Sequence, residues 1–268
     1  KEIIKEAKDL ILNGAVEITL LGQNVNAYCF KKNKNISRLS DLIYELETFK
    51  ELKRIRYTTS HPKDMTSDLI KCHKFSKKLV PFIHLPVQSG SSKILKAMNR
   101  KHTREEYLDI IKNLKKLRPE IKFSSDFIVG YPGETEKDFN ETISLIKEVK
   151  FINSFSFVYN PRPGTPGFAN DTIDKDIQHK RLQILQNILS KIQVDENNSQ
   201  IGKLKKVLIE NKMKNQKNYF GRLDNLTPVI SENVNANDIG KIINVRINDS
   251  NRNNLFGSKE NMKKEVAA

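Results

Sequence analysis

A chain of 268 residues can bury one substantial core and still carry a second, smaller domain. With 37% hydrophobic and 29% charged residues arranged in short periodic blocks, it is not a disordered polymer, and no apolar run approaches the roughly 18–20 residues that span a bilayer. Its 47 basic against 32 acidic residues give a net charge of +15, which draws polyanions, nucleic acid first among them, although a lysine- and asparagine-rich composition gives the same excess without a partner.

The chain opens on Lys1 inside a helical pattern (Ile3, Ile4, Ala7, Leu10, Ile11), so its natural start is expected upstream. Neither a secretory apolar region nor a cleavage site is visible there, which predicts a soluble, cytoplasmic protein. Between Val16 and Tyr159, β-rich runs alternate with amphipathic helical stretches, the pattern of a parallel α/β sheet or barrel. The predicted strands are Val16–Leu21, Arg54–Thr59, Val80–Val87, Lys122–Val129 and Ile152–Tyr159. The predicted helices between them are Leu39–Lys50, Ser67–Lys74, Ser92–Met98, Arg104–Lys116 and Glu136–Val149. Thr103 with Glu106, and Thr135 with Asp138, each give a hydroxyl N-cap and a carboxylate three residues on. A last helix over Ile173–Val194 carries Leu182, Leu185, Leu189 and Ile192 on one stripe, and the polar run Asp195–Gln200 then marks a domain boundary, dividing 1–198 from 199–268. Beyond it, the predicted strands Lys205–Glu210, Tyr219–Leu223, Val229–Ser231 and Lys241–Asp249 form a small all-β module.

Parallel α/β folds bind ligands beyond the C-terminal ends of their strands. All five predicted ends are polar or glycine-rich: Gly22–Asn26, Thr58–Pro62, Pro86–Gly90, Gly130–Glu134 and Asn160–Pro166. Any one of them is explained by a tight turn, but five on one rim form a cradle of amides, hydroxyls and glycines. That inventory suits a polar cofactor better than acid–base hydrolysis, and neither GxGxxG nor GxxxxGK[ST] is present. The histidines His61, His73, His84 and His102 are scattered, and no metal site is predicted; His84 reads as a structural histidine within a strand, while His61 stands at a strand end as a candidate substrate contact. Cys29 and Cys72 lie 43 positions apart and read as free thiols. In residues 199–268, thirteen basic against seven acidic residues give +6, and Lys203, Lys205, Lys206, Arg222, Arg246 and Arg252 are candidate phosphate contacts, with Tyr219 or Phe256 as stacking candidates. A solvated basic surface over core aromatics fits the same residues.

Six blocks, Glu17–Tyr28, Thr59–Asp64, His84–Ser91, Met98–Arg100, Asp126–Thr135 and Tyr159–Pro166, resemble in order and spacing the radical S-adenosylmethionine methylthiotransferases. Residues 201–257, with Gly221–Arg222 and Asn254–Gly257, are similar to the TRAM domain, a small RNA-binding barrel. The resemblance implies a partial parallel (β/α) barrel lacking its first strand, followed by a five-stranded antiparallel β-barrel. Blocks Gly22–Tyr28 and His84–Ser91 resemble the branch that methylthiolates isopentenyl-adenosine beside the tRNA anticodon; sister branches act on threonylcarbamoyl-adenosine or on a ribosomal protein.

The family's cofactors are S-adenosylmethionine and two [4Fe–4S] clusters, whose CxxxCxxC loop and N-terminal cysteines have no counterpart in this sequence. The chain alone is therefore expected to bind no cluster and to be inactive, with the activity belonging to a parent protein. By matching motif, Gly130, Pro132 and Gly133 are expected to shape the wall around the cofactor's adenine, and Gln23, Asn24, Gln88, Ser89 and Asp126 to position polar groups. Arg162 and Thr165, with His61, are expected at the target nucleotide. The expected partner is the tRNA anticodon arm and the expected state a monomer. A competing reading is a non-catalytic RNA-binding protein built on a degenerate barrel.

Overall fold

The computed structural model describes residues 2–32, 35–58, 60–164, 167–168 and 172–260. In chain order its elements are α1 (Glu2–Leu12), β1 (Glu17–Leu20), β2 (Cys29–Lys32), β3 (Asn35–Arg38), α2 (Leu39–Glu47), β4 (Arg54–Tyr57), α3 (Ser67–Phe75), β5 (Phe82–His84), α4 (Ser92–Ala97) and α5 (Arg104–Leu117). Then follow β6 (Lys122–Ser124), β7 (Asp126–Val129), α6 (Glu136–Val149), β8 (Phe155–Val158), α7 (Lys175–Asn198), β9 (Leu204–Lys212), β10 (Tyr219–Arg222), β11 (Pro228–Glu232), β12 (Ile242–Ser250) and β13 (Leu255–Lys259). Two compact units result, Lys1–Ile192 and Gln193–Ala268.

In the first unit β1 pairs with β4, β5 with β6 and β7 with β8, all in parallel. Main-chain bonds link these pairs, Val80 N–H to Ile55 O at 3.0 Å and Gln88 N–H to Asp126 O at 2.9 Å, giving one succession β1, β4, β5, β6–β7, β8. Parallel neighbours need helical crossovers, so all five strand C-termini meet on one rim. The registers Ile18 with Ile55, Ile83 with Phe123 and Phe127 with Ser156 define one face. That face packs on Ile43, Leu46, Leu69, Tyr107, Leu114, Phe139 and Ile146 of the helices. Strand alternation sends Glu17, Arg54, Arg56, His84, Asp126, Phe155 and Phe157 to the opposite face, which is why this sheet has a charged side.

Both expected capping boxes are present, at Thr103 with Glu106 and at Thr135 with Asp138. The third predicted strand shortens to Phe82–His84 because Pro81 and Pro86 have no N–H for the ladder. The fourth breaks at Ser125, where the chain changes partner from β5 to β8: Ser125 N–H bonds Ser154 Oγ at 3.0 Å, and its hydroxyl accepts Val87 N–H at 2.9 Å. The hairpin β2–β3 has no sequence signal, since Phe30 and Ile36 are exposed and no buried face imposes alternation. Helix α7 runs through the polar stretch to Asn198, because Asn197 is buried and its amide donates to Asn251 O at 2.8 Å and Arg252 O at 3.1 Å.

In the second unit the strands close in the order β10-β11-β13-β12-β9 around Val207, Ile209, Tyr219, Val229, Val245, Ile247 and Leu255. Four seams are antiparallel, and the fifth, β11 with β13, is parallel rather than antiparallel as expected. An odd number of strands cannot alternate direction all the way round a closed ring, so one seam must run parallel.

Candidate functional site

At the ends of β1 and β4, the buried Asn26 amide donates to His61 O at 2.8 Å and accepts His61 N–H at 2.9 Å, tying the two rim loops together. Asn24 Nδ2 donates to Asp64 Oδ2 at 2.7 Å, and Gln23 is exposed. His61 caps the turn Pro62–Asp64, its Nδ1 accepting Lys63 N–H at 3.1 Å. Its ring stands edge-on to His102 at 5.5 Å. Burial, then the charge of Arg100, holds the His61 imidazole below its ordinary value; burial, then His61 and Arg100, takes His102 down to about 4. Two histidines 41 positions apart in sequence are thus brought together, both neutral at pH 7.

At the end of β5, His84 shares a 3.0 Å hydrogen bond with Ser124 Oγ and lies 3.6 Å from Asp126 Oδ2. Gln88 adopts φ +74°, a left-handed conformation unusual for a side-chain-bearing residue, while both its main-chain groups are bonded into β7. Ser89 is fully buried: its hydroxyl accepts Ser91 N–H at 3.2 Å and lies 3.4 Å from Thr142 Oγ1. Gly90 presses on α6, where a Cβ would stand 2.5 Å from Thr142 Cα.

The Gly130–Glu134 turn after β7 is clamped from α7. Gln178 Nε2 donates to Gly130 O at 3.0 Å, and Arg181 Nη1 donates to Glu134 Oε1 at 2.7 Å and to Glu134 O at 3.1 Å. Glu134 Oε1 in turn accepts Gly130 N–H at 3.1 Å. Burial pushes the Glu134 carboxyl up, against the opposing pull of the Gly130 N–H and the Arg181 charge. Gly130 (φ +73°) has Gln178 packed where a Cβ would stand, whereas Gly133 (φ +80°) faces open space, with no atom within 4 Å of that point. Pro132 is buried beside it, and Tyr131 OH donates to Ala97 O at 2.9 Å. Sequence reasoning missed Gln178 and Arg181; their only signal is a polar pair at i, i+3 flanking the apolar stripe of α7. Arg162 is exposed after β8, and Thr165 lies outside the described residues.

The open Gly133 position and the exposed polar side chains of Gln23 and Asn24 fit a nucleoside-bearing cofactor such as S-adenosylmethionine. The thiols do not fit an iron–sulfur cluster: Cys29 is exposed on β2, and Cys72 is buried in α3, where burial raises its pKa. Among the described residues no three His, Cys, Asp or Glu side chains converge as metal ligands.

In the second unit Lys203 and Lys206 are exposed, Lys205 is half-buried and Arg252 is exposed. Arg222 is bonded to Glu210 at 2.9 and 3.0 Å and lies over the Phe220 ring at 5.1 Å; Arg246 holds Glu260 at 2.8 and 3.0 Å. Tyr219, one of the two stacking candidates, belongs to the barrel core. The outward row is instead Phe220, Ile230 and Phe256, in register across β10, β11 and β13.

Residues 1–146 match the Radical SAM superfamily, and residues 198–259 match the TRAM domain. The chain is 53% identical over 267 residues to the tRNA-2-methylthio-N(6)-dimethylallyladenosine synthase of Pelagibacter ubique, spanning 99% of this chain and 60% of that protein. Proteins of the same name from Wolbachia pipientis subsp. Culex pipiens and Rickettsia canadensis are 51% and 49% identical, each over 96% of this chain and 59% and 58% of their own lengths. The chain therefore spans about three fifths of the length of these curated relatives.

Proposed function

Because the chain belongs to the Radical SAM superfamily and carries a TRAM domain, we propose that it serves a methylthiotransferase acting on N6-dimethylallyl-adenosine (isopentenyl-adenosine) beside the tRNA anticodon. The observation that carries this reading is the clamped Gly130–Glu134 turn, set on the same rim as the Gln88 and Asn26–His61 turns, in a chain 53% identical to a synthase of that name. In this reading Gly130, Pro132 and Gly133 form the adenine wall of the S-adenosylmethionine site, with the open position at Gly133 giving the ring its approach. Gln23, Asn24, Gln88 and Asp126 offer polar groups to the cofactor, while Ser89, buried behind the rim, acts by fixing the Gln88 turn.

S-adenosylmethionine, when bound, supplies the radical and the methyl group. The clusters the chemistry requires, two in the family pattern, find no ligands among the described residues of this chain, and the residues here bind and orient instead. His61 and Arg162 face the target nucleotide, and Lys203, Lys205, Lys206, Arg222, Arg246 and Arg252 track the phosphates of the anticodon arm. The working state is a cytoplasmic monomer. None of the described helices is long and apolar enough to cross a membrane.

The test is to express the open reading frame from its start codon under anaerobic conditions with S-adenosylmethionine and dimethylallylated tRNA, then to digest the RNA and weigh its nucleosides. The expected product is the 2-methylthio nucleoside. Intact clusters with unmodified dimethylallyl-adenosine would overturn the substrate, and modified threonylcarbamoyl-adenosine or a methylthiolated ribosomal protein would reassign it.

A further inference from the structure

The face of the sheet turned away from the helices changes character along the strand order. At β1 and β4 it is ionic: Glu17 lies 3.6 Å from Arg54 and 3.2 Å from Arg56, and the Arg56 guanidinium covers the Phe82 ring at 5.9 Å. At β7 and β8 it is apolar. Phe155 and Phe157 leave β8 on that face, 60% and 54% exposed, whereas Val158 points the other way and packs on the core. The parallel register sets half-buried Ile128 beside Phe157, and Asp126 beside Phe155. The phenylalanines of β5, β6 and β7 (Phe82, Phe123 and Phe127) are all buried, so exposed rings are peculiar to β8 among these strands.

Alternate residues on one strand face stand roughly 7 Å apart and adjacent strands roughly 5 Å, so the two rings and Ile128 form one continuous patch. The rings leave on the order of 250 Å² to solvent, against roughly 800 Å² on each side of a stable protein interface. The patch is thus too small to seat a second protein surface and large enough for a short branched hydrocarbon. It is continuous with the rim: Ile128 stands two residues before Gly130, and Phe157 two before Tyr159, one side-chain layer below the turns carrying Gly133 and Arg162. At its deep margin Asp126, 3.6 Å from His84, sets a carboxylate that repels a second anion, so the group that fits is uncharged as well as apolar.

We propose that Phe155, Phe157 and Ile128 form the specificity seat for the five-carbon dimethylallyl tail of the target adenosine. The inference rests on the reading above that this rim receives N6-dimethylallyl-adenosine. Covering the rings with the tail removes apolar surface of both from water. A threonylcarbamoyl group carries a carboxylate, which would be desolvated against the rings and repelled by Asp126, so the same seat selects against it.

The experiment uses the protein expressed from its start codon, with intact clusters, and three variants: the double Phe155→Ala/Phe157→Ala, the single Phe157→Gln and the single Phe157→Leu. Two anticodon stem-loops, one carrying dimethylallyl-adenosine and one adenosine at the same position, are titrated by fluorescence anisotropy, and each variant is melted. The wild type is expected to bind the dimethylallylated RNA about tenfold or more tighter than the plain RNA. The double variant should lose that preference while binding plain RNA as the wild type does. Phe157→Gln, which keeps bulk at an exposed strand position, should cut the preference about threefold or more, and Phe157→Leu should keep most of it. Undiminished preference in a double variant that melts like the wild type overturns the seat. A lowered melting temperature with the preference intact shows that another protein segment covers the rings, and overturns it equally. A wild-type enzyme that forms the methylthio nucleoside without preferring the dimethylallylated RNA overturns the seat and leaves the functional reading standing. Preference abolished in the double variant, beside a wild type that makes no methylthio nucleoside, upholds the seat and overturns the functional reading alone.

Discussion

Replacing Arg181 by Met tests whether α7 holds the Gly130–Glu134 turn in place. The two side chains are 8% and 1% exposed and 2.7 Å apart, so solvent screening does little to weaken the pair. Removing the cation leaves Glu134 buried with only the Gly130 N–H on its carboxylate, and stranding one partner of a buried pair costs roughly 3–5 kcal/mol. The contact of Arg181 with the exposed Glu136 adds little, at 3.4 Å. Converting Glu134 to Gln in the same chain removes the stranded charge, so the double variant should recover about 2 kcal/mol of the loss. The sign with pH follows from Glu134, whose folded pKa is already raised above its ordinary 4.5 and rises further without Arg181. A carboxyl raised in the fold binds its proton more readily there than in the unfolded chain, so the cost of Arg181→Met is largest near neutral pH and shrinks as pH falls toward 4.5. Urea unfolding of the first unit at several pH values measures this. An Arg181→Met chain within about 0.5 kcal/mol of wild type, or a double variant no better than the single, would refute the clamp.

Other outcomes follow from the same geometry. Gly130→Ala should destabilise the first unit more than Gly133→Ala, because both require a left-handed backbone, costing about 1 kcal/mol, but only Gly130 also drives a Cβ into Gln178; comparing melting temperatures decides it. His73 and His102 are held at about 3 and about 4, below an unfolded value of 6.5, so the first unit should lose stability as pH falls through that window, by up to about 1.4 kcal/mol per pH unit for each histidine. All five histidines precede residue 193, so the unfolding midpoint of the second unit should stay still between pH 7.5 and 5.5. Lys203→Ala with Lys206→Ala should flatten the salt dependence of RNA binding by about 1.5 in log–log slope, while Arg222→Ala should change it less, since Glu210 already neutralises that guanidinium; anisotropy titrations at several salt concentrations check both.

Periodicity and turn chemistry determined most of the scaffold. The five parallel strands, their crossover helices and both capping boxes follow from local rules, because an amphipathic helix or a Thr-x-x-Glu start expresses itself within a few residues. The polar strand ends were legible for the same reason: glycines and amides in succession are visible without knowing what they face. Tertiary structure decided which of those residues are free to work. Ser89 reads as a rim hydroxyl in sequence but is spent on Ser91 and Thr142, and Tyr219 reads as a stacking surface but lines a core. It also supplied what no local pattern encodes: Arg181 meeting Glu134 across 47 positions, and His61 meeting His102 across 41. A side chain's partner is set by which strand lies beside which and by the register between them. One polar residue of a given type therefore becomes a clamp, a donor or buried packing according to contacts its own neighbours in sequence do not determine.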